Sequence, residues 1–512
     1  MKKLIYFSLS ILSLTFGSCK DFEEININPN NPAIVPPEML LPPIISGAVS
    51  TMTASGGSRA GQFVQHIAYL GGTSEEDGRY NLTGASFREE WNGAMRLIKD
   101  VNQLGLLAQQ NQMPHYEAVS LICKVYILSI MSDAYGDIPY NEAGKGDVAG
   151  LEFPHYQAQR EVYGLMLADL EQANQLLKNA DPSLTVNRDI LYNGNIHAWR
   201  KFANSLKVRI LMRQSQKGDV SAAISAIFNN PSEYPIFEKV EDQATLVYNN
   251  NANLYQWFIL NPPSDGSGVN FDGNDRVSEA MVNMLQNVAD PRLKIYVAPT
   301  KNSFNAHRNN PAASYIYRGQ QVGLSSLEQS ALYEQRGLNK DDFSVLGKRI
   351  RKENRAFLFS YSELLLLKAE AIVRNMGVEG DAATVYLAGV AASLAKWPQV
   401  GQVSNEETPY ISSTEATIFL ARTDMALQEE TALKQIAQQQ WIDAFLNGYE
   451  AWASWRRTGY PQLKPGPSVL APIPVRYVYS DNEQNNPNLI KWVNETMGGT
   501  MPTHNTKVWF QP

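Results

Sequence analysis

Catalytic motifs built on histidine, serine or glycine are missing from this sequence of 512 residues. Its six histidines are scattered, without the H-E-x-x-H pattern or another paired spacing that would bind a metal. There is no G-x-S-x-G segment, and Gly144-Lys145-Gly146 lacks the Ser or Thr and the upstream Gly of a phosphate-binding loop. Any chain of this length offers Asp and Glu pairs, so these do not indicate glycoside hydrolysis. We therefore expect a protein that is not an enzyme.

One loop has a composition that could bind a cation. Asp265, Asp272 and Asp275 lie there among Asn and Gly residues, and carboxylate and amide oxygens are the ligands that Ca²⁺ prefers. Their order is not that of an EF-hand, and a turn-rich loop without a metal explains the same composition. Ca²⁺ at these three residues is the one cofactor that the sequence suggests.

Aromatic side chains are the remaining candidates for a functional site. A sugar ring has apolar C–H faces and a rim of hydroxyls, so aromatic rings beside Asn, Asp or Arg side chains suit it. Many of the aromatics follow helical spacing and are predicted to pack in the core, namely Trp91, Trp199, Trp441 and Trp455. Five others lie in irregular stretches and are the predicted ligand-binding residues: Tyr80, Trp257, Phe271, Tyr315 and Tyr317.

The first residues have the order of a secretory signal. Lys2 and Lys3 precede an apolar run over 4–16, and two small residues come directly before Cys19. This arrangement resembles the lipobox of bacterial lipoproteins, in which the cysteine becomes the lipidated first residue. An ordinary signal peptide with a chance cysteine is the alternative. We predict a signal peptide over 1–18, the lipid anchor at Cys19 and a solvated spacer over 19–40.

Composition limits the class of partner. A net charge of −7 argues against nucleic acid, since phosphate binding needs a basic surface. A hydrophobic content of 44% is ample for a large core. If Cys19 carries lipid, then Cys123 has no disulfide partner, and its apolar surroundings predict a buried, inert thiol.

Apolar residues recur at three- and four-residue steps in eight segments, which form four helical hairpins. The predicted pairs are 87–104 with 114–135, 162–177 with 196–210, 361–373 with 382–394, and 432–446 with 449–457. Ala and aromatic residues at the crossing positions are typical of tetratricopeptide-like packing. Strand signals are sparse. We predict a mainly α fold of four such pairs, interrupted by large irregular insertions at about 219–345 and 397–430, within one domain over 41–512.

Ordered blocks along the chain resemble the SusD/RagB-like nutrient-binding lipoproteins. Each block is short, but together they cover nearly the whole chain in the family's order. They are Asn28–Pro32 after the lipobox, Asp133–Ala143, Trp199–Arg209, Asp290–Arg292, Tyr361–Glu363 with Ala369–Ala371, Gly448–Trp452 with Arg456 and Arg457, Ile473–Arg476, and Glu483 with Asn485. Tyr479-Ser480 departs from the family's usual Tyr-Pro.

The resemblance implies a function. Members of this family lie on the outer face of the outer membrane, cap a SusC-like TonB-dependent transporter and are not enzymes. The implied fold is a set of tetratricopeptide-like helix pairs that support an irregular ligand-binding half. We therefore expect a lipid-anchored protein that binds an oligosaccharide or polysaccharide nutrient and delivers it to the transporter. A peptide-binding member, or a structural lid of the transporter with little affinity of its own, are the alternatives.

The residues after the cysteine bear on orientation. Lys20–Glu24 (Lys-Asp-Phe-Glu-Glu) resembles the tag that sends some lipoproteins to the outside of the outer membrane. A merely polar spacer explains the same residues. The resemblance therefore implies an outer-membrane protein that faces the cell exterior.

Overall fold

The structure is a computed structural model that describes residues 35–70, 74–146, 151–248, 269–353, 355–397, 410–469 and 471–512. Three residues singled out from the sequence, Cys19, Trp257 and Asp265, lie outside the described residues.

Long helices dominate the amino-terminal half. Two of them begin at a local signal in the sequence. Pro114 opens one helix, and the Asn195 side chain caps another by accepting from the N–H groups of His197 and Ala198 at 3.0 and 3.1 Å. The elements are α1 (Pro37–Ser55), α2 (Gly61–Phe63), β1 (Ile67–Tyr69), α3 (Ser74–Gly78), α4 (Arg88–Gln110), α5 (Pro114–Tyr135), α6 (Gln159–Asn179), α7 (Ile196–Arg213) and α8 (Ser221–Asn229).

The middle of the chain, predicted as an irregular insertion, contains short helices. Ser278, Thr300 and Ser325 each start one, because each hydroxyl accepts a hydrogen bond from a backbone N–H of the first turn. The elements are β2 (Ala244–Val247), β3 (Asp275–Val277), α9 (Glu279–Asn287), α10 (Leu293–Tyr296), α11 (Lys301–Asn309), α12 (Ser326–Arg336) and α13 (Lys348–Glu353).

The carboxy-terminal part returns to helix pairs. Ser360 and Asp381 cap the two helices of the third pair. The elements are β4 (Arg355–Phe359), α14 (Tyr361–Val373), α15 (Ala382–Ala395), α16 (Ser413–Leu420), α17 (Ala432–Asp443), α18 (Gly448–Thr458) and α19 (Pro487–Thr496). Single 3₁₀ turns lie at Gly84–Phe87, Val240–Asp242, Lys340–Asp342, Thr423–Met425, Glu429–Thr431 and Glu483–Asn485, and a π-helical turn at Gly56–Ala60.

The four predicted helix pairs are present and pack in series. They are α4 with α5, α6 with α7, α14 with α15, and α17 with α18. Helix α5 packs on α6, α7 on α14, and α14 on α17, so pairs that the insertion separates in sequence are neighbours in space. Helix α18 also packs back on α5 and α7. The prediction of a mainly α, tetratricopeptide-like fold is therefore confirmed.

Two small sheets attach the insertion to this array. β1 pairs antiparallel with β3, with Ile67 opposite Val277, and β2 pairs antiparallel with β4, with Val247 opposite Arg355. The two sheets have two strands each. This pairing holds strand β3, and the start of α9 that follows it, beside β1 in the amino-terminal part of the chain.

The core is continuous through all four helix pairs. Trp91, Trp199 and Trp441 are at most 2% exposed, as predicted, and Cys123 is buried as well. A second, smaller apolar cluster lies in the insertion and consists of Val269, Phe271, Ala298 and Val345, with Phe304 packed against it.

Among the described residues, one helix, α5, is long and apolar enough to cross a membrane. Of its most apolar stretch, 83% is buried inside the protein. That burial is typical of a core helix.

Candidate functional site

A cleft of about 390 Å³ lies on the insertion, and two of the five predicted aromatic residues, Tyr315 and Tyr317, line it. Its other walls come from α10 and the residues after it, from α11, from the start of α13 and from Tyr410, which lies three residues before α16. The lining residues are Val269, Lys294, Val297, Ala298, Pro299, Phe304, His307, Tyr315, Tyr317, Lys348 and Tyr410.

The two tyrosines are carried by an extended segment that lies against α11. The Thr300 N–H donates to the Ile316 carbonyl at 2.8 Å, and the Ile316 N–H donates to Ser303 Oγ at 3.0 Å. Side chains two residues apart on extended backbone point to the same side. Tyr315 and Tyr317 therefore both reach the cleft, and anchoring Ile316 between them fixes their register.

His307 holds the ring of Tyr315 from α11. The two ring centroids are 4.3 Å apart, and His307 Nδ1 is 2.7 Å from the Ala313 carbonyl oxygen. Because a carbonyl only accepts, Nδ1 carries a proton and donates it, and the ring is held in place by this bond. Tyr315 remains 40% exposed, so most of one ring face is open to a ligand.

Tyr317 lies deeper in the cleft. Burial raises the pKa of Tyr317, and the neighbouring Tyr315 raises it further, so the hydroxyl is protonated at neutral pH. A protonated phenol both donates and accepts hydrogen bonds. Tyr317 can therefore bind a hydroxyl of a ligand as well as cover an apolar face.

Phe271 supports the cleft from behind. Its ring centroid is 5.4 Å from that of Phe304, which lines the cleft, and Phe271 itself is 4% exposed. The sequence predicted Phe271 as a ligand-binding residue. The structure places it beneath the wall, in the small apolar cluster of the insertion, where it offers no open face.

Tyr80 is not part of the cleft. It is 3% exposed, its ring packs edge-on against Phe63 at 5.8 Å, and it belongs to the main core. The sequence prediction of a binding role for Tyr80 does not fit this position, because a ring buried on both faces cannot cover a ligand.

Of the three acidic residues predicted to bind Ca²⁺, Asp272 and Asp275 lie within the described residues. Asp272 accepts from Lys301 Nζ at 2.9 Å, and Asp275 lies in β3 opposite Tyr69. Within the described ranges, no group of three or more His, Cys, Asp or Glu side chains could bind a metal. The structure therefore supplies no metal geometry at Asp272 and Asp275.

Sequence reasoning missed Phe304, His307, Lys348 and Tyr410. Phe304 and His307 are three residues apart on α11 and hence on one face, which is a signal that the sequence carried. The Tyr-x-Tyr spacing of 315 and 317 is a second such signal. Lys348 and Tyr410 had none, since only the tertiary structure brings them to the cleft.

The charges of the cleft are all positive. Lys294 Nζ is paired with Glu415 Oε2 at 2.7 Å, and Lys348 begins α13, which packs against the helix of Lys294. Among the described lining residues, none is a carboxylate. Aromatic faces with hydroxyl, imidazole and ammonium groups at the rim can bind a polyhydroxylated ring, and these residues lack the carboxylate pair of a glycoside hydrolase.

A larger cavity of about 510 Å³ lies between the end of α6 and the start of α7. Its lining includes Lys178, His197 and Arg200 but no Tyr, Trp or Phe. The aromatic cleft of the insertion is therefore the better candidate for the ligand site.

The structure is an α-helical fold in which tetratricopeptide-like pairs support an insertion that carries a candidate binding cleft. A family model described as "Starch-binding associating with outer membrane" matches residues 29–480. The chain belongs to this SusD-like family, whose members are carbohydrate-binding proteins associated with the outer membrane. A comparison with curated proteins found no match.

Solved structures agree with the family assignment. A chitin-binding protein is 26% identical with a TM-score of 0.76, over 93% of this chain and 100% of the other. A SusD homologue from Bacteroides fragilis is 23% identical with a TM-score of 0.74, over 93% and 99%. A chitin-binding SusD homologue from Flavobacterium johnsoniae is 21% identical with a TM-score of 0.71, over 93% and 98%. The last two similarities establish the fold.

Proposed function

We propose that this protein is a cell-surface lipoprotein that binds an oligosaccharide or polysaccharide nutrient and delivers it to a TonB-dependent outer-membrane transporter. The observation that carries the binding part is the pair Tyr315 and Tyr317, which share one side of an extended segment and line one cleft. Cys19 is the proposed lipid anchor, and the spacer over 19–40 lets the binding body stand away from the bilayer.

A sugar suits the cleft better than a peptide. Exposed tyrosine faces cover the apolar side of a pyranose, and Tyr317 and His307 offer polar atoms for its hydroxyls. A peptide bound in extended form would pair with an open strand edge. None of the described lining residues belongs to strands β1–β4. Membership in a starch-binding family supports the same conclusion.

A glycan array tests the ligand class. The wild-type protein, freed of its lipid, should retain at least one class of oligosaccharide. The double variant Tyr315→Ala/Tyr317→Ala should lose that binding by about tenfold or more, since stacked aromatics dominate such sites. Phe153→Ala is the matched control. The exposed fraction of Phe153, 43%, is similar to that of Tyr315, and Phe153 does not line the cleft. Equal binding by the double variant and the control would contradict the proposed site.

Two further measurements address delivery. Affinity purification of the tagged protein from outer membranes should recover a large β-barrel transporter, and removing that transporter should abolish uptake of the bound glycan. Recovery of the barrel by a protein that binds no glycan would favour a structural lid instead. Retention of peptides alone would favour the peptide-binding alternative. We expect no hydrolysis products when pure protein is incubated with the retained glycan.

A further inference from the structure

The cleft has an uncompensated positive charge. Lys348 is half-buried at the start of α13 and lines the cleft. Within the part of the chain that the structure describes, Lys348 has no carboxylate partner and no hydrogen bond, whereas Lys294 beside it is neutralised by Glu415 at 2.7 Å. The cleft therefore holds one lysine whose charge is balanced and one whose charge is not.

An unbalanced ammonium in a partly buried site favours an anionic ligand. Removing Lys348 from bulk water weakens its hydration, and no described lining residue replaces that hydration with a negative charge. A ligand that brings a carboxylate or a sulfate would supply it, with a charge-assisted hydrogen bond. A neutral sugar would leave the charge unmatched.

Building on the proposed function, we propose that the cleft selects anionic saccharides, with Tyr315 and Tyr317 against the sugar rings and Lys348 against an acidic substituent. A uronate carboxylate and a sulfate ester share the chemistry that Lys348 recognises. His307 lies on the same wall as Tyr315 and offers Nε2 to a neighbouring hydroxyl.

Glu415 sets the strength of this preference. Its carboxylate holds Lys294, so replacing it with a neutral isostere releases a second ammonium at the cleft. Glu415 is 37% exposed, and its backbone N–H, which Ser412 caps, is unchanged by the substitution. Glu415→Gln should therefore raise affinity for anionic saccharides without loss of the fold.

The test uses the lipid-free protein on an array of neutral, uronate and sulfated oligosaccharides of matched length, with methyl-esterified oligogalacturonides as the neutral counterparts of the uronates. Wild type should prefer the anionic members. Lys348→Met should weaken their binding by about tenfold, and Glu415→Gln should strengthen it by about threefold, as expected for one charge near the ligand. Raising the salt from about 0.05 to about 0.5 M should weaken anionic binding alone.

Lys491→Met serves as the control, because Lys491 is 69% exposed on α19 and does not line the cleft. Retention of uronates but not sulfates, or the reverse, identifies which acidic substituent of the ligand Lys348 binds, and supports the inference. Preference for neutral glycans, or unchanged anionic binding in Lys348→Met, would overturn it. If the protein prefers neutral glycans and the tyrosine variants lose that binding, the proposed function still stands. Retention of no glycan at all would overturn both.

Discussion

Arg457 on α18 and Glu370 on α14 join the last helix pair to the third, with Nη2 of Arg457 2.7 Å from Oε2 of Glu370. Both side chains are at most 3% exposed, and Arg374 also donates to Glu370 at 2.8 Å. The insertion-rich chain thus brings its later helix pairs together through buried charges as well as through apolar packing.

Breaking this pair should destabilise the array. Arg457→Met leaves the Glu370 carboxylate with Arg374 as its remaining cation, and we expect a loss of about 3–5 kcal/mol in the free energy of unfolding. Urea unfolding followed by circular dichroism measures it. The double variant Arg457→Met/Glu370→Leu should lose less than the sum of the single losses, because the two residues interact. Additive losses would contradict a direct pairing.

The same pair makes stability depend on pH. Burial raises the pKa of Glu370, but the charges of Arg457 and Arg374 outweigh burial and lower that pKa to about 2. Because the folded pKa lies below the ordinary value of 4.5, Glu370 contributes stability above that value and loses it as the pH falls through about 5 toward 2. The melting temperature of Glu370→Gln should therefore vary less over this range than that of wild type. Parallel curves would exclude Glu370 as the titrating group.

The aromatic residues that the sequence predicted to bind ligand should differ in how much they contribute to the stability of the fold. Tyr80→Ala removes a ring buried against Phe63, and we expect a loss of about 3–5 kcal/mol. Tyr315→Ala removes a half-open ring, and its stability should stay within about 0.5 kcal/mol of wild type. Thermal unfolding distinguishes them. A large loss for Tyr315→Ala would place that ring in the core.

The binding role of Trp257, which lies outside the described residues, stays a prediction. Loss of glycan binding without loss of stability in Trp257→Ala would support it.

The lipid anchor is tested by one substitution. If Cys19 carries lipid, Cys19→Ala should be recovered in soluble rather than membrane fractions, because lipidation supplies the membrane affinity. Fractionation and immunoblotting measure the ratio. Serine and alanine variants should behave alike. Membrane retention of Cys19→Ala would overturn the lipoprotein prediction.

The thiol of Cys123 should be unreactive in the folded protein. It is 8% exposed, and burial together with the nearby Asp189 charge raises the pKa of its thiol to about 12. The thiolate is the reactive form, so a thiol reagent at neutral pH should label no group in native Cys19→Ala protein. One group should react after unfolding in guanidinium. Rapid labelling of the native protein would contradict the burial of Cys123.

The helix pairs were predictable because their signals are local. Apolar spacing gives the faces, while Pro114, Asn195 and Ser360 set where helices begin. The third pair, 361–373 with 382–394, agrees with α14 and α15 to within one residue. The short helices of the insertion were missed, although Ser278, Thr300 and Ser325 supply their caps. Helices α11 and α12 have no fully buried apolar residue, so their sequences show no continuous apolar face.

The candidate site was predictable only in part. Tyr315 and Tyr317 were named from composition, and their spacing in extended backbone brings both to one cleft. Tyr80 and Phe271 stood in equally irregular stretches, yet long-range contacts with Phe63 and Phe304 bury them. Nothing local distinguishes an aromatic residue in a loop that will be covered from one that will be exposed.

The sequence by itself determined the mainly helical class, the four helix pairs and the family, because periodicity, caps and ordered motifs are written within short stretches of chain. The tertiary structure alone decided which residues share a cleft. Lys348 and Tyr410 join Tyr315 there because α10 packs against α13 and the chain before α16 closes the wall. Contacts between residues far apart in the chain depend on the packing of the whole core, and no local pattern encodes them.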